Sequence, residues 1–136
     1  MATFERTFSV RWADLDPNFH LRHSVYADFG ADVRMKCLES NGFSLDRLRE
    51  LGVGPILFSE KLDYLREVRA GESVTVNMMV VDLSPDGRKW SIKHEITKGD
   101  GQKAAELLVT GAWFDTKARK VSVPPAELDQ FMRSFR

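Results

Sequence analysis

Apolar and polar residues alternate at the start of the chain. In Phe4–Trp12, the apolar residues Phe4, Phe8, Val10 and Trp12 are separated by polar ones. A period of two is typical of a β-strand with one buried face. We therefore expect the chain to begin with a strand that packs on a core.

A helical period replaces this alternation from His23 onwards. Its apolar stripe falls at i, i+3, i+4, i+7 and i+11, on Tyr26, Phe29, Gly30, Val33 and Cys37. This spacing predicts a long core helix, with Ser24 as its cap and 41–42 (Asn-Gly) as its end. Gly30 in mid-helix costs about 1 kcal/mol relative to Ala, which close approach of another backbone would offset.

The rest of the chain indicates one short helix, several strands and a terminal helix. Ser44–Leu51 predicts the short helix, with Ser44 as cap and Gly52 as terminator. Four apolar or alternating segments predict strands: Pro55–Tyr64, Ser73–Leu83, Lys89–Lys98 and Ala104–Asp115. The turn sequences at 84–87 and 99–101 indicate antiparallel connections. A last apolar stripe predicts a helix from about Pro125, on Leu128, Phe131, Met132 and Phe135.

This order of elements predicts an α+β fold in a single domain, residues 1–136. A curved antiparallel β-sheet wrapped around the long central α-helix would bury its stripe. Such a sheet has open edges, which pairing with a second copy would cover. We expect a homodimer or a homotetramer.

Composition narrows the classes of function. The chain has 136 residues, with 20 Lys plus Arg against 20 Asp plus Glu. A net charge of zero argues against a nucleic-acid partner held by bulk charge. No apolar stretch approaches the 20 residues of a membrane span, and the start lacks a signal-peptide pattern. The single cysteine, Cys37, cannot form an internal disulfide, so a cytoplasmic location is predicted.

The densest polar cluster lies in 14–20, between the first strand and the long helix. It holds Asp14, Asp16, Asn18 and His20 beside a helix N-terminus. Unpaired N–H groups at such a terminus can polarise a carbonyl or hold an oxyanion. A nearby carboxylate can attack that carbonyl or activate water. These parts suit acyl transfer to water.

The segment Trp12–Leu21, followed by Tyr26, resembles the signature of hotdog-fold thioesterases. Its Asp-x-Asp-Pro opening resembles the 4-hydroxybenzoyl-CoA thioesterase branch, in which Phe19 would be Gly. Its Asp-Leu-Asp-x-Asn-x-His pattern resembles the acyl-ACP thioesterases, whose chains hold two hotdog repeats. The resemblance implies the hotdog fold and hydrolysis of an acyl-CoA or acyl-ACP thioester without a cofactor.

The same resemblance implies roles for individual residues. Asp16 would be nucleophile or general base, and Asn18 and His20 would complete the catalytic set. The backbone N–H of His23 would hold the thioester oxygen. Tyr26 would bind the substrate. Arg88 and Lys89 would also bind it, as cations that meet the nucleotide phosphates.

Several alternatives stay open. His20 and His23 have H-x-x-H spacing, but a zinc site needs a third ligand, so no metal is expected. Asp14 suits a structural role, and His94 suits a core or interface position. Glu39 and Glu67 are weaker candidates for a second carboxylate. An enoyl-thioester hydratase on the same fold, or a non-catalytic binder of acyl thioesters, would share these features.

Overall fold

A single curled antiparallel sheet holds the long helix in its concave face. The computed structural model describes residues 2–136. The strands are β1 Phe4–Ser9, β2 Val53–Tyr64, β3 Ser73–Leu83, β4 Lys89–Lys98, β5 Lys103–Asp115 and β6 Lys120–Val121. The helices are α1 His23–Ser40, α2 Leu45–Leu51 and α3 Ala126–Ser134. The α+β architecture and the central helix predicted from the sequence are confirmed.

The strand order is β1-β3-β4-β5-β2, with β6 paired to β5. All pairs are antiparallel. Because β2 pairs only with β5, its other side is an open edge of the sheet. The sheet's far edge is β1, which pairs only with β3.

The apolar stripe of α1 lies in the core as predicted. Tyr26, Phe29, Gly30, Val33 and Cys37 are all buried. Burial raises the pKa of the Cys37 thiol to about 12, so this thiol stays protonated and unreactive at neutral pH. A Cβ added at Gly30 would lie 2.5 Å from Cδ2 of Leu107 on β5. The close approach of the Leu107 side chain therefore explains this glycine. The sequence had suggested the close approach of another backbone instead.

Two local predictions are corrected. The first strand ends at Ser9, and Trp12 begins a short 3-10 helix where its side chain is 90% exposed. Trp12 is therefore no part of the buried face. Ser24 does not cap α1: the cap is Arg22, and the Ser24 hydroxyl accepts a hydrogen bond from Arg22 Nε at 2.9 Å.

The caps of α2 are confirmed. The Ser44 hydroxyl accepts a hydrogen bond from the Arg47 N–H at 3.1 Å. Gly52 ends the helix at φ +70°, in the left-handed region that glycine adopts without steric cost. No helix within residues 2–136 is both long enough and apolar enough to cross a bilayer.

Gly111 on β5 is a tight packing point, and Gly111→Ala is expected to destabilise the fold. An added Cβ would meet the backbone oxygen of Ile56 and would lie 2.5 Å from Cη2 of Trp90. Overpacking of this kind costs about 1–3 kcal/mol. Chemical denaturation should show this loss in the free energy of unfolding. Gly99→Ala is the control, because nothing lies near its added Cβ. It should leave the free energy of unfolding unchanged within about 0.5 kcal/mol. Equal stability of the two variants would contradict this packing account.

Candidate active site

The polar loop before α1 is a tight hairpin fixed at both ends. Leu15 and Leu21 form an isolated bridge, and the Leu21 N–H donates to the Val68 carbonyl at 2.7 Å. Phe19 at its tip has φ +62° and is 72% exposed. The left-handed region favours glycine, which gives a conformational reason for the glycine of the 4-hydroxybenzoyl-CoA branch at this position.

Asp14 has a structural role in this loop. The residue is 1% exposed, and its carboxylate accepts hydrogen bonds from the Arg11 N–H at 3.0 Å and from Arg11 Nη2 at 2.8 Å. These bonds hold the pKa of Asp14 below its usual range. A carboxylate this fully paired is a poor nucleophile or base, and this leaves Asp16 as the available carboxylate of the loop.

Asp16 is oriented by the backbone of its own turn. Its Oδ1 accepts hydrogen bonds from the N–H groups of Asn18 at 2.8 Å and His20 at 3.1 Å. Its Oδ2 has no hydrogen bond within residues 2–136. The side chain is half-buried and lines a cleft of about 310 Å³. One oxygen thus fixes the carboxylate and the other is left for chemistry.

The structure brings four of the predicted site residues into this cleft. Asp16, His20, His23 and Tyr26 all line it. Asn18 is exposed and is not part of the lining. Its backbone N–H fixes Asp16 instead, so its contribution within one chain is to orient the carboxylate.

The first turn of α1 forms one wall of the cleft. Val25 is the first residue of this turn whose N–H has a partner, the Arg22 carbonyl at 3.0 Å. The His23 N–H is one of the amides that a helix leaves unpaired at its start. The partial positive charge there suits a developing oxyanion.

Tyr26 and Tyr64 close the base of the cleft. Their rings meet edge to face with centroids 5.3 Å apart. Burial raises the pKa of Tyr26 to about 12, so its phenol stays neutral at physiological pH. The Tyr64 hydroxyl donates to the His23 carbonyl at 3.1 Å and so ties the end of β2 to the start of α1.

His20 is held by an acid that follows β2. Its Nε2 lies 3.0 Å from Oε2 of Glu67. Glu67 also pairs with Arg69 at 3.0 Å, and this pair, followed by His20, holds the pKa of Glu67 below its usual range. Of the two weaker candidate carboxylates named from the sequence, Glu67 lies in the cleft and Glu39 does not.

The cleft also contains a residue that the sequence did not single out. Arg66 lines the cleft, is exposed, and makes no ion pair within residues 2–136. Its position two residues after the predicted strand Pro55–Tyr64 was the available signal. It gives the cleft a free cation.

Arg88 and Lys89 lie far from this cleft in the same chain. Arg88 directly precedes β4, and Lys89 is its first residue and pairs with Ala112. Tyr64 of the cleft pairs with Ala105, which on its other side pairs with Ile96 towards the opposite end of β4. The seven residue steps from Lys89 to Ile96 span about 23 Å. Arg88 is also paired with Asp86 at 2.9 Å.

His94 is buried in the core, consistent with the non-catalytic reading. It is 0% exposed, with Nδ1 2.6 Å from the Asn77 carbonyl and Nε2 3.0 Å from Nη1 of Arg34. Within residues 2–136, no group of three or more His, Cys, Asp and Glu side chains has the arrangement of a metal site.

Comparison with known proteins identifies the family. The model of the thioesterase-like superfamily matches residues 10–132. The chain belongs to this superfamily. Its class of reaction is thioester hydrolysis, and its sheet around a central helix is the hotdog fold predicted from the sequence. A sequence search of curated proteins gave no match.

Solved structures of similar proteins share this fold. A Staphylococcus aureus hypothetical protein in complex with CoA has a TM-score of 0.91 at 22% identity, over 98% of this chain and 84% of that one. A Synechocystis 1,4-dihydroxy-2-naphthoyl-CoA thioesterase has a TM-score of 0.85 at 18% identity, over 97% and 96%. A Staphylococcus aureus DHNA-CoA thioesterase has a TM-score of 0.80 at 19% identity, over 98% and 86%.

Proposed function

We propose that this thioesterase-like chain hydrolyses acyl thioesters of coenzyme A, with Asp16 as nucleophile or general base. The observation that carries the proposal is the Asp16 carboxylate, which faces a cleft beside the start of α1 with one oxygen free. The S. aureus neighbour in complex with CoA makes coenzyme A the first thiol to test.

The reaction follows from these parts in either form. As nucleophile, Asp16 forms a bond to the thioester carbonyl carbon, the C–S bond breaks, and water then hydrolyses the mixed anhydride. As general base, Asp16 takes a proton from water while the water oxygen attacks the same carbon. In both forms the N–H groups at the start of α1 stabilise the oxyanion. The sulfur leaves as a thiolate in the nucleophilic form, and the water that hydrolyses the anhydride supplies the balancing proton. In the general-base form, Asp16 passes the proton taken from water to the leaving thiolate. His20, held by Glu67, orients the water or the acyl group.

The direct test is release of free thiol from a panel of short, long, branched and aromatic acyl-CoAs. Turnover that depends on the acyl group would support the proposal and rank the substrates. Acyl-ACP is the second substrate to test, because the cleft suits an acyl group carried by coenzyme A or by acyl carrier protein. Loss of enoyl-CoA absorbance without thiol release would favour the hydratase, and binding without either reaction would favour the non-catalytic binder.

Arg66 is the cation best placed for the CoA phosphates within one chain. Arg66→Gln is expected to raise KM for acyl-CoA by up to about fivefold, the range of an exposed charge pair, and to leave kcat unchanged. Steady-state kinetics at low ionic strength would measure this. Arg49→Gln on α2, which pairs with Asp46 outside the cleft, is the control. A change in kcat with no change in KM would show that Arg66 does not bind the CoA phosphates.

The open edge of β2 supports a homodimer, or a tetramer built from it. Leu57, Phe58, Tyr64 and Leu65 are 44–56% exposed along this edge. A second copy that paired there would bury them and satisfy the edge's free backbone groups. Sedimentation should then give at least twice the chain mass of 15.5 kDa.

Phe58→Asp tests this interface, because it would bury an unpaired charge there. We expect it to shift the protein towards the monomer. Val81→Asp, at an exposed position on β3, should leave the assembly intact. A wild-type monomer, or equal effects of both variants, would contradict pairing through β2.

A further inference from the structure

Phe19, at the tip of the hairpin before α1, is held in a backbone conformation that its residue type disfavours. Its φ of +62° lies in the left-handed region, where a Cβ crowds the backbone and glycine is preferred. Among residues 2–136, the other non-glycine residue in this region is Arg119, whose guanidinium lies over the Phe114 ring at 5.1 Å. At Arg119 a packing contact accompanies the disfavoured conformation.

The Phe19 ring has no comparable contact within residues 2–136. The residue is 72% exposed, and it neither belongs to the hydrophobic core nor packs against it. Its ring stacks on no other aromatic ring, and no cation lies over it. A large apolar side chain that is exposed on a disfavoured backbone indicates a function rather than a role in folding.

The ring stands beside the candidate chemistry. Asp16 and His20 both line the cleft, and Phe19 lies between them in the chain, so it forms part of the rim of the cleft. The Phe19 N–H donates to the Asp16 carbonyl at 3.0 Å, which ties the tip to the residue that carries the free carboxylate oxygen. On the wall formed by the end of β2, Leu65 lines the cleft and is 54% exposed. The rim therefore offers apolar surface to the part of a substrate that extends out of the cleft.

The part of an acyl thioester that suits this rim is its hydrocarbon. The thioester carbonyl has to reach Asp16 and the amides at the start of α1, which places the carbonyl inside the cleft. The pantetheine arm on the sulfur side carries amide groups, whose burial costs free energy unless they are hydrogen-bonded. An acyl chain or ring is apolar, and its contact with Phe19 would remove apolar surface of both from water.

We propose that Phe19 is a specificity-determining residue, whose ring packs on the acyl group and favours thioesters with a hydrocarbon chain or an aromatic ring over acetyl thioesters. This inference rests on the proposed thioesterase function for the identity of the ligand. An acetyl group ends at its first methyl inside the cleft, so it does not reach the ring.

Three substitutions separate the ring of Phe19 from its backbone. Phe19→Gly and Phe19→Asn remove the ring and supply residues that adopt the left-handed region readily, so both should remain folded in urea denaturation. We expect both to lower the ratio of kcat/KM for hexanoyl-CoA to kcat/KM for acetyl-CoA about tenfold, as for partial burial of a phenyl side chain. Phe19→Tyr keeps the ring and should keep the wild-type ratio. Val123→Ala, at an exposed apolar position outside the cleft lining, is the control and should also keep it.

A binding measurement keeps this test apart from hydrolysis. The thioether S-hexyl-CoA has no carbonyl for Asp16 to attack, so calorimetry can compare its Kd with that of S-methyl-CoA without turnover. The preference for S-hexyl-CoA should fall about tenfold in Phe19→Gly, and it should do so in the Asp16→Asn background as well. If the wild type shows this binding without releasing thiol from any thioester, the hydrolase proposal fails and the role of Phe19 stands.

Four results would overturn the role of Phe19. The first is an unchanged preference in both Phe19→Gly and Phe19→Asn, and the second is a loss in Phe19→Tyr as large as that in Phe19→Gly. The third is a sedimenting mass of Phe19→Gly below that of the wild type, which would assign the ring to a contact between copies of the chain. The fourth is the absence of S-hexyl-CoA binding to the wild type.

Discussion

Replacement of Asp16 by Asn is expected to lower kcat by about 10²–10⁴-fold, the range that a positioned acid–base group contributes. The amide cannot accept a proton from water or form an anhydride with the acyl group. Its oxygen can still accept the two N–H bonds that Asp16 Oδ1 accepts from Asn18 and His20. The turn should therefore keep its shape while the chemistry is lost.

The measurement is steady-state thiol release with the best acyl-CoA of the panel, together with the free energy of unfolding of each variant. Asp28→Asn is the matched control, because Asp28 is an exposed carboxylate of α1 outside the cleft. It removes the same charge near the same helix start. An Asp16→Asn enzyme with more than about a tenth of wild-type kcat would exclude Asp16 from both roles.

The elements of this fold could be predicted because each carries a strong period or a clear terminator. The stripe from Tyr26 to Cys37 lies in the core, and Ser44 and Gly52 bound α2 as expected. Trp12 shows the limit of this reasoning. It continues the alternation of β1, but the ion pair of Arg11 and Asp14 turns the chain into a 3-10 helix and exposes the indole.

The candidate site was predictable where its residues are adjacent in sequence. Asp16, His20, His23 and Tyr26 come from one loop and the helix after it, so local pattern places them together. Tyr64 and Arg66 join them through the strand register and the bridge between His20 and Arg69, which no local pattern reveals. The same register separates Arg88 and Lys89 from the cleft within one chain.

The contact between Arg34 and His94 could not be predicted from the sequence for a related reason. Arg34 lies one position after Val33 of the apolar stripe, where a charged residue normally faces solvent. The sequence placed its partner His94 in the core or at an interface, because His94 alternates with Trp90, Ile92 and Ile96. Only the packing of α1 on the sheet brings the two side chains to 3.0 Å.

This contact predicts a pH dependence of stability. Burial, together with the charge of Arg34, lowers the pKa of His94 from 6.5 to about 4. Between these values the unfolded chain binds a proton at this histidine and the folded protein does not. The contribution of neutral His94 to the free energy of unfolding is therefore complete above pH 6.5. It falls as the pH drops towards 4, by at most about 1.4 kcal/mol per pH unit. The total loss from this residue is about 3 kcal/mol.

His94→Gln isolates the effect, because glutamine can donate to the Asn77 carbonyl and accept from Arg34 without titrating in this range. We expect urea denaturation between pH 7 and pH 4 to show the loss in the wild type and a flatter profile in His94→Gln, whatever that variant's stability at pH 7. His23→Gln, at an exposed position, should retain the wild-type slope. Carboxylates with lowered pKa values, such as Asp14, lose their contribution mainly below this window, so they do not mimic it. Two results would contradict this account: a wild-type free energy of unfolding that is constant from pH 6.5 to pH 4, or a slope that persists in His94→Gln. Either would show that the lowered pKa of His94 is not the source of a pH dependence of stability.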